Sequence, residues 1–182
     1  MKKTELKKFD NTSYHPGSKA KRSLWYVVNV LFFNTFVPFP NSLKRMLLRI
    51  FGAKIGMGVI LKPKINIKYP WMLGVGNHSW IGEGVWIDNL GHVEIGPNCC
   101  LSQGVMLVCG NHNFSVSGFD LIVEDITLEE GVWLGAKSII TPGVTCGSHA
   151  VLTVGSVASK DLEAYSINRG NPAGKIKSRV IE

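Results

Sequence analysis

From about residue 73 to residue 157 the chain repeats every six positions, and no other feature limits its fold so tightly. Apolar residues recur at Ile81, Ile87, Ile95, Leu101 and Leu107, and again at Leu128, Leu134, Ile140, Cys146 and Leu152. Four residues after each stands a small or β-branched residue: Val85, Gly91, Cys99, Val105 and Asn111, then Val132, Ser138, Val144, Ala150 and Ser156. A helix cannot hold such a stripe on one face, because six steps of about 100° carry the chain round to about 240°. Short strands joined by tight corners can. Three such sides close a triangular coil, and stacked coils bury one continuous core. The repeat therefore predicts an all-β solenoid, a parallel β-helix of hexapeptide repeats.

The same ruler measures the loops. Val75 to Ile95 spans 20 residues, a turn of three hexapeptides plus two, and Leu128 to Cys146 spans 18, three hexapeptides with nothing added. Ile95 to Leu128 spans 33, so this turn is 13 residues longer than the 20-residue one. The excess leaves the coil between Leu107 and Val123, and insertions in solenoids map to loops on one face that often carry function. Residues 108–123 are accordingly the predicted active-site loop.

At 182 residues with 45% hydrophobic content the chain can bury one substantial core, and its twenty glycines suit a fold with many corners. The four cysteines, Cys99, Cys100, Cys109 and Cys146, form neither a C-x-x-C pair nor a disulfide framework. No signal-peptide pattern is visible, and a reducing, cytoplasmic location fits. The net charge of +7 is concentrated at the ends. Residues 1–22 hold seven basic and two acidic residues, and Arg169, Lys175, Lys177 and Arg179 lie near the C-terminus. No nucleic-acid motif accompanies this charge. An anionic membrane surface suits the front, which would then work at the inner face of the membrane, and a phosphate-bearing ligand suits the back.

Four regions follow. Residues 1–22 are predicted to be a basic, flexible tail. Residues 23–54 are predicted to be a helical cap, including a helix from Asn41 or Ser42 (one of them its cap) to the stop at Gly52. Capping covers the open end of a solenoid. Interfacial membrane attachment is the second reading of this basic, aromatic stretch, and the two are compatible. Residues 55–157 form the β-helix, and 158–182 a C-terminal extension.

The repeat, the looped-out His112 and the ending Arg169-Gly170-Asn171-Pro172-Ala173 together resemble the hexapeptide-repeat acyltransferases. The segments Leu48–Gly56, Tyr69-Pro70-Trp71, Ser79–Glu83, Ser102-Gln103-Gly104 and Gly110-Asn111-His112 are similar to the colanic acid biosynthesis acetyltransferase branch. The resemblance implies a left-handed helix, a homotrimer with active sites between subunits, and acetyl-CoA as donor, with no metal. It also implies O-acetylation of a sugar hydroxyl in exopolysaccharide or glycan biosynthesis, with a non-sugar small molecule as the second acceptor class.

An alcohol at neutral pH is a poor nucleophile, so the reaction needs a base, and histidine suits the task. Of five histidines, His112 alone stands at the base of the long loop, where the family places its catalytic histidine. Asn89 resembles the acceptor-positioning asparagine of the family, with Asp88 as the alternative and an αL corner as the plain structural role. Backbone N–H groups of residues 133–136 are the expected oxyanion donors. For coenzyme A the resemblance points to Trp133 beside the pantetheine arm, to Ala136, Val154, Ser159 and Lys160 along the groove, and to Lys177 at the nucleotide phosphates. Gly174 departs from the arginine of some relatives. The rivals from other classes are a three-histidine zinc hydratase of the carbonic anhydrase β-helix type, Cys109 as a nucleophile, and an inactive scaffold.

Overall fold

The structure is a computed structural model that describes residues 3–182. Lys2, one of the basic residues of the predicted tail, lies outside the described residues.

The chain winds into a triangular coil with three parallel sheets. The first sheet stacks Lys54–Ile55, Leu73–Val75, Val93–Ile95, Ile126–Leu128 and Thr145–Cys146. The second runs from Ile60–Leu61 through Trp80–Ile81, Cys100–Leu101 and Trp133–Leu134 to Val151–Leu152. The third runs from Asn66–Ile67 through Trp86–Asp88 and Met106–Val108 to Ile139–Ile140 and Val157–Ala158. The ten apolar positions of the repeat are all buried and stack in register, Ile81 on Leu101 and Leu134, and Ile87 on Leu107 and Ile140. Of the positions four residues later, Asn111 alone is exposed, because the chain has already left the coil there.

Strands two or three residues long close a triangle only if the corners are sharp. Between the first and second sheets, Gly58, His78, Asn98, Gly131 and His149 occupy equivalent places in successive turns, all with φ between +57° and +69°. Lys64, Gly84, Gly104, Lys137 and Gly155 repeat this between the second and third sheets. A left-handed residue at each corner turns the backbone without a long loop. Each position costs little for glycine or asparagine and about 1–2 kcal/mol for other residues.

The open end of the coil presents backbone groups that pair with no strand. The cap satisfies them with side chains. Leu61 donates its N–H to the Asn41 Oδ1 (2.7 Å) and its carbonyl accepts from the Lys44 Nζ (3.2 Å). Ile67 does the same with the Asn29 Oδ1 (3.3 Å) and the Trp25 Nε1 (2.8 Å). Arg45 donates to the Val59 carbonyl at 2.8 Å, and Arg49 to that of Ile55 at 2.6 Å. These side chains come from α1 (Lys19–Val28), the π-helical turn Asn29–Phe33 and α2 (Asn41–Ile50), whose apolar residues Trp25, Phe33 and Leu48 close the core. Asn41 therefore does not cap α2: its carboxamide serves the coil instead. Gly52, at φ +102°, ends α2 as expected, with the Ala53 N–H reaching back to the Leu48 carbonyl.

Two boundaries move. Helix α1 begins at Lys19, inside the predicted tail, with Ser18 accepting from the Lys21 N–H. At the other end the coil continues past residue 157. Leu162 bridges to Cys146, and Ser166–Gly170 pairs in parallel with Val151–Leu152 before folding back as an antiparallel hairpin with Ala173–Ser178. The inward positions there are Ser166 and Asn168, so the apolar stripe fades while the backbone register persists.

Candidate functional site

The long turn leaves the coil after Val108 and forms an antiparallel hairpin, Gly110–His112 against Leu121–Val123, with His112 opposite Leu121. The His112 Nδ1 lies 2.8 Å from the Phe119 carbonyl oxygen. A carbonyl only accepts, so Nδ1 donates, and in the neutral ring Nε2 is the nitrogen whose lone pair can take a proton. Phe119 also stacks on the imidazole, at 4.3 Å between centroids and 8° between planes. It holds φ +56°, an unusual conformation for a bulky residue, and so aims its carbonyl at the ring. The ring is fixed in orientation as well as in tautomer.

The N-terminal segment closes over this hairpin rather than remaining free. Phe9 meets the His112 ring at 5.6 Å, the Glu5 N–H donates to the Ser117 carbonyl (2.8 Å), and the Tyr14 hydroxyl donates to the Leu90 carbonyl (2.7 Å). Burial raises the Tyr14 pKa well above the usual tyrosine range, keeping it a hydrogen-bond donor. Pro16 is buried, and Gly17, at φ +96°, brings the backbone against Trp71. The flexible-tail expectation fails because residues with no periodic pattern find their partners on the loop and coil.

His112 opens on a cavity of about 510 Å³ lined in part by Phe9, Tyr14, Arg22, Lys68 and Tyr69. A second cavity of about 310 Å³ shares Arg22, Lys68 and Tyr69 with the first and adds Trp86 and Asp88. The two adjoin at these shared residues as a cleft beside α1, the N-terminal segment and the third sheet, with His112 lining one part and Asp88 the other. Asp88 is half-buried there and paired with the Lys68 Nζ at 2.8 Å. The Arg22 Nε is buried beside the cleft without a hydrogen-bond partner among the described residues.

Asn89 does not face this cleft. Its side chain is fully buried and is spent on backbone, accepting from the Tyr69 N–H (3.0 Å) and donating to the carbonyls of Tyr69 (2.6 Å) and Met72 (3.2 Å). It clamps the corner of the preceding turn, and its φ is not positive, so it is not an αL residue either. Its neighbour Asp88, the open alternative, presents its carboxylate to the cavity.

The residues assigned to coenzyme A lie at separate places on one chain. Trp133 stands half-exposed on the second sheet, its Nε1 donating to the Ser102 Oγ at 3.0 Å. Ala136 and Val154 stack at the corner between the second and third sheets, where the Gly155 N–H donates to the Ala136 carbonyl. Ser159 and Lys160 are exposed at the opposite edge of the third sheet, the edge from which the His112 hairpin departs. Lys177 is exposed on the terminal hairpin, whereas Lys175 is paired with Glu163 at 2.7 Å. In the 133–136 stretch the N–H groups of Trp133 and Gly135 donate to Ala150 and Leu152. That of Ala136 has no partner among the described residues.

Two rivals lose ground on geometry. Burial pushes the Cys109 thiol up to about 12, away from the thiolate form that a nucleophile needs. His78 and His149 belong to the corner between the first and second sheets, away from the His112 hairpin. Among the described residues no three His, Cys, Asp or Glu side chains converge as a metal centre requires.

Phe9, Tyr14, Arg22 and Phe119 were not legible as site residues.

No protein-family model matches the chain. WcaF of Escherichia coli, a protein assigned as a colanic acid biosynthesis acetyltransferase, is 35% identical over 167 residues, covering 92% of each chain. The crystal structure of a maltose O-acetyltransferase from Clostridium difficile superposes with a TM-score of 0.80 at 25% identity, over 89% of this chain and 88% of that one. A hexapeptide-repeat acetyltransferase from Vibrio cholerae, solved with acetyl coenzyme A, gives a TM-score of 0.80 at 20% identity, over 90% and 89%. A coil of six-residue repeats, broken once by a hairpin that fixes a histidine, and a relative this similar along nearly the whole chain show that the protein belongs to the hexapeptide-repeat acetyltransferases.

Proposed function

We propose that the protein transfers an acetyl group from acetyl-CoA to a sugar hydroxyl. The observation that carries this reading is the His112 Nδ1 held by the Phe119 carbonyl, which leaves Nε2 basic at the edge of the cleft. Nε2 takes the proton of the acceptor hydroxyl while its oxygen attacks the thioester carbonyl carbon. The tetrahedral intermediate collapses with cleavage of the C–S bond, and the proton on Nε2 goes to the departing coenzyme A thiolate. Asp88 positions the acceptor, with Tyr69 and Trp86 as the apolar faces that sugar rings favour. The maltose and colanic acid relatives support a sugar as the acceptor class.

Oxyanion stabilisation needs a donor that makes no other bond, and the Ala136 N–H fits. On one chain Ala136 and the His112 hairpin lie at opposite edges of the third sheet. A site shared between copies would join His112 of one to Trp133, Ala136 and Val154 of another, which supports a closed ring of copies, and the family resemblance makes that ring a homotrimer.

The test is acetyl-CoA consumption over nucleotide sugars, simple sugars and lipid-linked glycans. Turnover with a sugar acceptor should fall about 10²–10⁴-fold in His112→Ala, with acetyl-CoA binding retained. Asp88→Asn should raise KM for the acceptor. Acetyl-CoA binding without turnover on any sugar would point to the small-molecule acceptor class instead.

A further inference from the structure

Charge is divided along the coil axis. Residues 11–82 hold ten lysines and arginines and no aspartate or glutamate, whereas residues 83–182 hold six basic and eleven acidic residues. The first stretch forms one end of the molecule, comprising both cap helices and the first turns of the coil. Among the described residues only Lys68 of the ten is paired with a carboxylate. Lys44, Arg45 and Arg49 are engaged by edge carbonyls. Lys19, Lys54 and Lys62 stand in solvent, and the Lys64 ammonium lies 4.1 Å from the centre of the Phe36 ring.

The same end carries a strip of exposed apolar side chains. While Trp25, Asn29 and Phe33 turn inward to plug the coil, Leu24, Val27 and Leu31 turn outward, 60%, 51% and 56% exposed. Tyr26, Phe36 and Val37 continue the strip. A contiguous apolar surface of this kind normally has a partner. Its flanking cations and the lack of any acidic residue within 11–82 fit a bilayer better than a protein partner. A sheet of anionic headgroups rewards every exposed cation and penalises any acid. No helix among the described residues is long and apolar enough to cross a membrane, so the contact is interfacial.

We propose that this end of the protein docks peripherally on an anionic lipid bilayer, with the outward face of α1 and the following π-helical turn at the boundary of headgroup and acyl chain. Arg22 lines both the cleft that holds Asp88 and a shallow cavity beside Lys19, Tyr26 and Val27. Docking therefore brings the mouth of the candidate site to the lipid surface. The inference is independent of the acyl-transfer reading, because it is read from binding and not from turnover.

Sedimentation of the full-length protein with phosphatidylcholine vesicles, with and without phosphatidylglycerol, tests it. The protein should pellet with the anionic vesicles only and be released by salt. Leu24→Ser with Leu31→Ser, and separately Lys19→Glu with Lys64→Glu, should each weaken that binding at least about tenfold at unchanged acetyl-CoA affinity. If the leucine pair prevents folding, the lysine pair still decides. Absence of wild-type binding to anionic vesicles, or undiminished binding by the lysine pair, overturns the proposal. So does a wild-type oligomer that dissociates in the leucine pair, since a second copy would then cover this face.

Discussion

At the scale of single residues, the side chains around the cleft divide by what their polar atoms already touch. His112 has one nitrogen engaged and one free, which suits a base; Asn89 has every polar atom engaged by backbone, which suits a clamp. Asn89→Ala should therefore act on stability, lowering the unfolding free energy by about 1–3 kcal/mol through the three lost bonds in a buried place. Thermal unfolding measures this, and the acceptor KM should move less than in Asp88→Asn. Cys109 is buried with its thiol pushed up to about 12, so Cys109→Ala should retain transfer within a few-fold. A loss comparable to that of His112→Ala would restore the cysteine as nucleophile.

At the scale of elements, the cap and the corners do different work. The cap supplies hydrogen bonds to an edge that has no next strand, and Lys44 is its most costly member, fully buried with two carbonyls as partners. Burial lowers the Lys44 pKa, so the folded chain binds that proton less tightly than the unfolded chain. This group's contribution to stability accordingly rises as pH climbs from the lowered folded value towards the ordinary lysine range. Unfolding measured against pH should show this slope in the wild type and its loss in Lys44→Met. The corners instead demand close backbone approach. A Cβ on Gly76 would clash with the Pro97 backbone nitrogen of the next turn, so Gly76→Ala should cost about 1–3 kcal/mol, read as a lower melting temperature.

At the scale of the whole molecule, the coil is a rigid prism whose site residues occupy different edges. If sites form between copies, mixing His112→Ala chains with Ala136→Pro chains should restore activity, because hybrid trimers contain interfaces with both functional groups intact. Each variant alone should be nearly inactive. Failure to recover activity after subunit exchange, with exchange confirmed by mass, would place the whole site on one chain. The polarity of the prism belongs to this scale too, with cations and apolar side chains gathered at the cap end.

The six-residue period was enough to determine the coil, the inward residues and the place of the break, because periodicity reports directly which positions share a face. Ile87, Leu107 and Ile140 could be stacked on paper and are stacked in space. The position of His112 on the overlong turn was likewise legible by counting. Only the tertiary structure decided that Asp88 rather than Asn89 faces the cleft, since the two are adjacent and a corner can send either one inward. It also decided that the basic front is no loose tail, and that Asn29, Asn41 and Lys44 serve the coil's open edge. Those facts depend on contacts between segments with no shared period, and a one-dimensional pattern holds no record of which distant backbone group a side chain will meet.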